Sequence, residues 1–122
     1  MHKYTRYFIF IGFALIIVGL IVWSAVTPGK YDKFATCIKD SGTKFYGAFW
    51  CPHCQATKKM FGKSARLLPY VECSSPDGQN QLQVCKDAGV EGYPTWVFPD
   101  GTRLSGEQSL ETLAQKTSCS LE

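Results

Sequence analysis

At 122 residues the chain has room for one domain, and its thirteen basic against ten acidic residues leave only a small positive charge. Two of the basic residues, Lys3 and Arg6, precede a long apolar run; the remaining eleven against ten form a near-neutral balance without the basic patch of a nucleic-acid binder, which argues against nucleic acid as a partner. Residues 7–29 carry no charge, and Phe8 to Val26 are almost wholly apolar. That run is long enough to cross a hydrocarbon layer of roughly 30 Å. The expected division is a cytoplasmic tail over 1–6, a transmembrane anchor helix over 7–29 and a folded domain over 30–122. A cleaved signal peptide is the competing reading, but its apolar core usually runs only about 7–15 residues, and Val22-Trp23-Ser24-Ala25 lacks a clean small-x-small site.

Past the anchor, Tyr31 to Ser41 sets Phe34, Ala35 and Ile38 at helical spacing, with Gly42 as a stop. Lys44 to Trp50 reads as an aromatic strand that runs into a helix from Pro52 to about Lys63. Pro69 to Cys73 is expected as a second strand, Gln79 to Ala88 as a helix ended by Gly89, and Thr95 to Phe98 as a third strand. The turn Pro99-Asp100-Gly101 leads into a hairpin partner over Thr102 to Ser105. A last helix covers Ser109 to Lys116, with Leu110 and Leu113 on one face and Glu111 in its first turn. The order is αβαβαββα, without internal repeat or low-complexity segment.

All six cysteines, at 37, 51, 54, 73, 85 and 119, follow the apolar run, which suits an oxidising compartment. Basic residues prefer the cytoplasmic side, so Lys3 and Arg6 orient the domain outward: periplasm, cell exterior or organelle lumen. Lys30 and Lys33 weaken that asymmetry, with Asp32 between them. The most informative stretch is Phe49-Trp50-Cys51-Pro52-His53-Cys54. A cysteine at a helix N-terminus faces unpaired N–H groups and the positive end of the helix dipole, which stabilise its thiolate. Pro52 suits the first helical position, where a missing N–H costs nothing, and His53 is able to add positive charge beside the sulfur. Cys51 is therefore the expected nucleophile, with Cys54 one turn on as its redox partner. The other four cysteines allow three pairings; Cys73–Cys85 and Cys37–Cys119 are expected as structural staples, although Cys73 and Cys85 are also candidates for an electron relay to a membrane partner.

The order of elements, the C-x-x-C at the first strand-to-helix junction and Gly92-Tyr93-Pro94-Thr95 opening the third strand together resemble the thioredoxin fold, an α/β architecture with a central mixed sheet flanked by helices. The resemblance covers roughly Tyr31 to Cys119. More narrowly, the stretch from Lys44 to Cys54, Glu72-Cys73, Pro76-Asp77-Gly78 and Gly92-Tyr93-Pro94-Thr95-Trp96 resemble the thioredoxin-like domain associated with bacterial and plant homologues of vitamin K epoxide reductase. Such domains pass electrons from substrate thiols to a quinone-linked membrane enzyme and so promote disulfide formation outside the cytoplasm. The resemblance implies that Cys51 exchanges disulfides with exported proteins and that a vitamin K epoxide reductase-like membrane protein accepts the electrons. It also implies that Pro94 is a cis-proline offering the Tyr93 backbone to substrate, with no cofactor of its own. Trp50 is a lesser substrate-facing candidate, more a packing group beside the site. Cytosolic thioredoxins keep a buried aspartate six residues before the first cysteine, where this chain has Phe45. Its absence and His53 favour an oxidant.

Two alternatives stay open at this point. An extracytoplasmic reductase or isomerase would use the same residues with different electron flow, and a membrane-tethered binding module would carry the cysteines for structure alone. A four-cysteine zinc site is disfavoured because Cys73 and Cys85 are separated by eleven residues, and no metal is expected. His2 precedes the span and would lie across the membrane from the cysteines. No phosphate loop, paired-carboxylate motif or Ser-His-Asp set is present.

Overall fold

The structure, a computed structural model, describes residues 2–122, with side chains from Tyr4 onward. Expectations that rest on Met1, or on the side chains of His2 and Lys3, lie outside the described residues. Helix α1 is His2–Val26, and its segment Tyr4–Val26, unburied and of mean hydropathy 2.7, is long and apolar enough to cross a membrane. Thr27 to Gly29, which the sequence assigns to the anchor, lie beyond the helix, where Thr27 Oγ1 donates back to the Ser24 carbonyl and Pro28 lacks an N–H.

The rest is a four-stranded sheet with four further helices. Strands β1 (Lys44–Gly47), β2 (Tyr70–Glu72), β3 (Thr95–Val97) and β4 (Arg103–Ser105) lie in the order β2-β1-β3-β4. β1 pairs parallel with β2 and antiparallel with β3, and β3 and β4 form a hairpin. The expected αβαβαββα order is the observed one, and the mixed sheet with flanking helices is the thioredoxin fold.

Alternation along β1 divides the interior, because neighbouring strand residues point to opposite faces. Phe45 enters the main core. It stacks on Trp96 at 4.4 Å between centroids and meets the Tyr70 ring edge-on. Helix α2, Asp32–Asp40, closes this side with Phe34, Ala35 and Ile38, and Phe34 stacks on Phe61. Helix α5, Leu110–Thr117, adds Leu113; its N-cap is Ser109, whose Oγ accepts the Thr112 N–H. On the opposite face Tyr46 and Val71 pack against a smaller cluster of Cys73, Cys85 and Val90.

The expected bounds of α2, α5, β2, β3 and β4 hold to within one residue at each end, and three elements fall further short, each for a local reason. β1 stops at Gly47 rather than Trp50, because the chain turns: the Cys51 N–H donates to the Ala48 carbonyl. Helix α3, Pro52–Phe61, ends at Gly62, whose φ of 55° favours glycine, and a 3-10 turn over Gly62–Leu67 follows. Helix α4 is only Gln83–Asp87 instead of Gln79–Ala88. The backbone ahead of it is claimed by a polar turn: Asp77 Oδ1 accepts the Gln79 N–H and the Ser75 hydroxyl, Ser75 Oγ accepts the Asn80 N–H, and Ser74 bridges Gln81. Side chains that bond neighbouring backbone donors compete with helix in this way.

The domain is tied to the end of α1. Lys63 Nζ donates to the Ser24 carbonyl and to Thr27 Oγ1, and Ser64 Oγ accepts the Tyr31 N–H. Beside them Arg66 grips Asp32 with two hydrogen bonds of 2.8 and 2.9 Å, which holds the Asp32 carboxyl well below the usual carboxylate range.

Candidate active site

The end of β1 and the start of α3 build the site. Cys51 is the N-cap of α3 with extended backbone angles, and Pro52 occupies the first helical turn, where no N–H is missed. The sulfur therefore sits at the helix end that carries the unpaired N–H groups and positive partial charge. Both thiols are free. Cys51 is 5% exposed and Cys54, one turn on, 1% exposed.

Burial pushes the Cys54 thiol up to about 12, and the neighbouring Cys51 sulfur adds to that shift, while the Ala48 backbone and the Lys58 ammonium pull the other way. Gly47 makes the close packing possible: a Cβ there would stand 2.8 Å from Cys54 Sγ and 2.8 Å from the edge of the Tyr70 ring. Tyr70 in turn donates its hydroxyl to Glu72 Oε2 at 2.8 Å, and burial raises its pKa far above that of a free phenol.

Across from Cys51 lies the loop that opens β3. The Tyr93–Pro94 peptide bond is cis and Pro94 is fully buried. The Cys51 thiol donates to the Tyr93 carbonyl at 3.7 Å. Trp50 stands about half exposed beside them; its indole N–H donates to Ser74 Oγ at 2.8 Å and its ring meets Tyr93 edge-on. The structure thus brings Cys51, Pro52, Cys54, Trp50, Tyr93 and Pro94 together. His53 is on the same turn but faces solvent, with Nδ1 2.6 Å from Glu107 Oε1.

Glu107, 54 residues from His53, had no sequence signal to mark it. Glu72 was visible only as part of a motif. It braces the active-site turn: Oε1 accepts the Phe49 and Ser74 N–H groups. Lys58 was legible in principle, since it is four residues from Cys54 on the same helix face. Its ammonium lies 3.4 Å over the Tyr70 ring.

The remaining cysteines are bonded away from this site. Cys37 in α2 is joined to Cys119 after α5, and Cys73 after β2 to Cys85 in α4. Cys73 and Cys85 are fully buried, and their bond to each other leaves neither as a ligand beside Cys51 and Cys54.

The sequence profile of thioredoxin matches residues 26–118. The chain belongs to the thioredoxin family. Three curated relatives carry the same domain. Thiol-disulfide oxidoreductase LTO1 of Arabidopsis thaliana is 50% identical over 86 residues, 66% of this chain and 22% of the relative. The thioredoxin domain-containing protein 5 homolog of Drosophila melanogaster is 37% identical over 97 residues, 67% of this chain and 22% of its own length. The protein disulfide-isomerase of Humicola insolens is 30% identical over 105 residues, 78% of this chain and 19% of its own length. The chain spans about a fifth of the length of these relatives. At the level of the domain it is a thioredoxin-fold thiol–disulfide oxidoreductase, with Cys51 and Cys54 at the strand-to-helix junction.

Proposed function

We propose that this chain is a membrane-tethered oxidase of protein thiols, in which the Cys51–Cys54 disulfide is passed to exported proteins and renewed by a vitamin K epoxide reductase-like, quinone-linked membrane enzyme. The observation that carries the chemistry is the position of the Cys51 sulfur at the N-cap of α3, 3.7 Å from the Tyr93 carbonyl, with Cys54 shut in behind it. A substrate thiolate attacks the Cys51 sulfur of the disulfide, the Cys51–Cys54 bond breaks, and Cys54 leaves with the electron pair and takes up a proton. A second substrate thiolate then attacks the substrate sulfur of the mixed disulfide, forming the substrate disulfide and releasing Cys51 as thiolate. The two electrons stay on the Cys51–Cys54 dithiol until the membrane partner withdraws them.

Pro94 and Tyr93 form the face on which a substrate chain lies, the Tyr93 backbone offering main-chain hydrogen bonds beside the sulfur. Trp50, half exposed next to them, gives that face an apolar edge. The anchor reading is supported by the apolar Tyr4–Val26, and an outward domain by Lys3 and Arg6 ahead of it together with two further disulfides. Cys37–Cys119 and Cys73–Cys85 are assigned structural roles; the full burial of the second pair leaves no open path to its sulfurs.

The test is a trap. In a Cys54→Ala variant Cys51 holds its substrates as mixed disulfides that dissolve on reduction; an empty trap in a folded variant during active export would remove the catalytic reading and leave the tethered binding module. Direction is read from the cell: a Cys51/Cys54 pair found mostly oxidised supports the oxidase, and one found mostly reduced makes the chain a reductase. Membranes holding the quinone-linked enzyme are expected to reoxidise the reduced chain, and failure to do so would take that partner away.

A further inference from the structure

Every turn of disulfide exchange at this site puts a negative charge on Cys54, either as the leaving sulfur or as the attacking one, in a position that burial makes hostile to charge. The groups that face it are few. From α3 come Cys51 and Lys58; from β2 comes Tyr70, with Glu72 hydrogen-bonded behind its hydroxyl; from β1 comes Gly47, without a side chain. Phe45, the next residue inward on β1, is stacked on Trp96.

Lys58 is held in a defined seat. Its Nζ lies 3.4 Å from the centroid of the Tyr70 ring, a cation–π contact. The edge of that ring and the Cys54 sulfur meet across Gly47, each 2.8 Å from the position a Cβ would take. Glu72 draws the Tyr70 hydroxyl at 2.8 Å and so fixes the ring. The seat joins β2 to the face of α3 that carries Cys54, since residues four apart on a helix are neighbours.

We propose that Lys58 is the positioning residue of the resolving cysteine: its ammonium, seated on the Tyr70 ring, stabilises the charge that forms on Cys54 during exchange. In the forward step the bond between the substrate sulfur and Cys51 forms as the Cys51–Cys54 bond breaks. The substrate sulfur is oxidised, Cys54 is reduced, and the electron pair arrives on Cys54 beside Lys58 before a proton from water neutralises it. In the reverse step Cys54 gives its proton to water, and its thiolate attacks the Cys51 sulfur and expels the substrate thiolate.

Rate and equilibrium part company at Lys58. A thiol pushed up to about 12 is neutral at pH 7 in the resting reduced protein, so the Cys54 charge exists only in transit. Lys58 then alters how fast the pair exchanges and leaves its reduction potential at pH 7 unchanged. Loss of one neighbouring opposite charge raises a thiol by roughly one unit, a tenfold loss of thiolate partly offset by greater nucleophilicity, so the resolving step slows about three- to tenfold.

The inference rests on the exchange activity proposed above, and the experiment keeps the two apart. The full chain in detergent is loaded with glutathione on Cys51, and its release by Cys54 is followed from pH 6 to 10, with the reduction potential measured alongside. Wild type that cannot release glutathione would end the exchange reading itself. With wild type active, Lys58→Met is expected to slow release about three- to tenfold and move the rate profile to higher pH at constant potential, with Lys58→Arg restoring both. A Lys58→Met chain that releases at the wild-type rate, or that shifts in potential at unchanged rate, overturns the proposal. Lys58→Gln is measured beside it; if both neutral variants unfold, Lys58 is a structural residue and the proposal fails.

Discussion

The two cysteine pairs beyond the C-terminal ends of the parallel strands β1 and β2 are the same chemistry in opposite settings. Cys51 and Cys54 stand unbonded at the mouth of a helix, one sulfur against a carbonyl at the rim and the other shut behind it. Cys73 and Cys85 are bonded and sealed on the other face of the sheet, with Tyr46, Val71 and Val90 packed over them. Thiol–disulfide exchange needs an attacking sulfur to reach one sulfur of a disulfide along the bond. The first pair offers that approach at Cys51 and the second does not. Placement, more than the cysteine itself, divides reactive sulfur from staple.

The largest expected effect is on the reactive pair. Cys51→Ala should lower exchange with a small thiol by at least about a thousandfold while leaving the unfolding midpoint close to wild type, because the nucleophile is removed from the rim and not from the centre of the core. The staples should behave in the opposite way. Cys37→Ala/Cys119→Ala opens a link of 82 residues and should cost about 4 kcal/mol in denaturant titrations; Cys73→Ala/Cys85→Ala opens one of 12 residues and should cost about 3 kcal/mol. Both should keep the exchange rate at Cys51. If the second variant stayed folded but lost reoxidation by its membrane partner, the pair would be a relay and the contrast would break.

The contrast also predicts a pH dependence confined to one pair and one redox state. In the reduced protein Cys54 keeps its proton to about 12, whereas an unfolded thiol releases it near 9.0. Between those values the unfolded chain binds fewer protons than the native one, so stability falls as pH rises through that window, and is fully present below it. With Cys51 and Cys54 bonded there is no thiol to titrate. Reduced protein should therefore lose stability between about pH 9 and 12 relative to oxidised protein. The raised Tyr70 phenol adds a loss above about pH 10 that is common to both states; urea midpoints in both states, repeated on Cys54→Ala, check the difference, and a reduced Cys54→Ala chain that loses as much as reduced wild type would assign it elsewhere. Gly47→Ala probes the same packing from the backbone. With a Cβ 2.8 Å from both Cys54 Sγ and the Tyr70 ring, it should cost about 1–3 kcal/mol by overpacking and slow the resolving step.

Much of this was legible in the chain because local signals agreed. The aromatic run into Cys51-Pro52-His53-Cys54 reads as strand, turn and helix from residue types alone, and Gly89 and Ser109 punctuate helices where the pattern puts their ends, whereas Gly62 stops α3 ahead of the expected Lys63. Local reading failed where side chains bid for backbone donors, as Ser75 and Asp77 do ahead of α4. It also failed where the site is completed from afar. Spacing left three pairings for four cysteines, and only the packing of α2 beside the end of α5 brings Cys37 to Cys119. Glu72 and Tyr70 reach the site through the parallel pairing of β1 with β2, a contact between residues more than twenty apart.

His53 is where sequence and structure differ most in emphasis, and it carries the smallest prediction. Sequence gives a positive charge beside the nucleophile; the structure gives that imidazole a carboxylate partner, Glu107, 2.6 Å from Nδ1. With side chains 68% and 41% exposed, both belong to solvent as much as to each other. Exposed pairs of this kind contribute at most about 1 kcal/mol, because water screens the attraction and two side chains must be held in place. A cycle of His53→Ala, Glu107→Gln and the double variant, read on the equilibrium with glutathione, should give a coupling below about 1 kcal/mol that shrinks further in 1 M salt, where the screening length is about 3 Å. A larger coupling that survives salt would mean that substrate or partner closes over the pair. In that event the charge beside Cys51 would be set by Glu107 and His53 together, and the reactive pair would be less open than its contrast with Cys73–Cys85 implies.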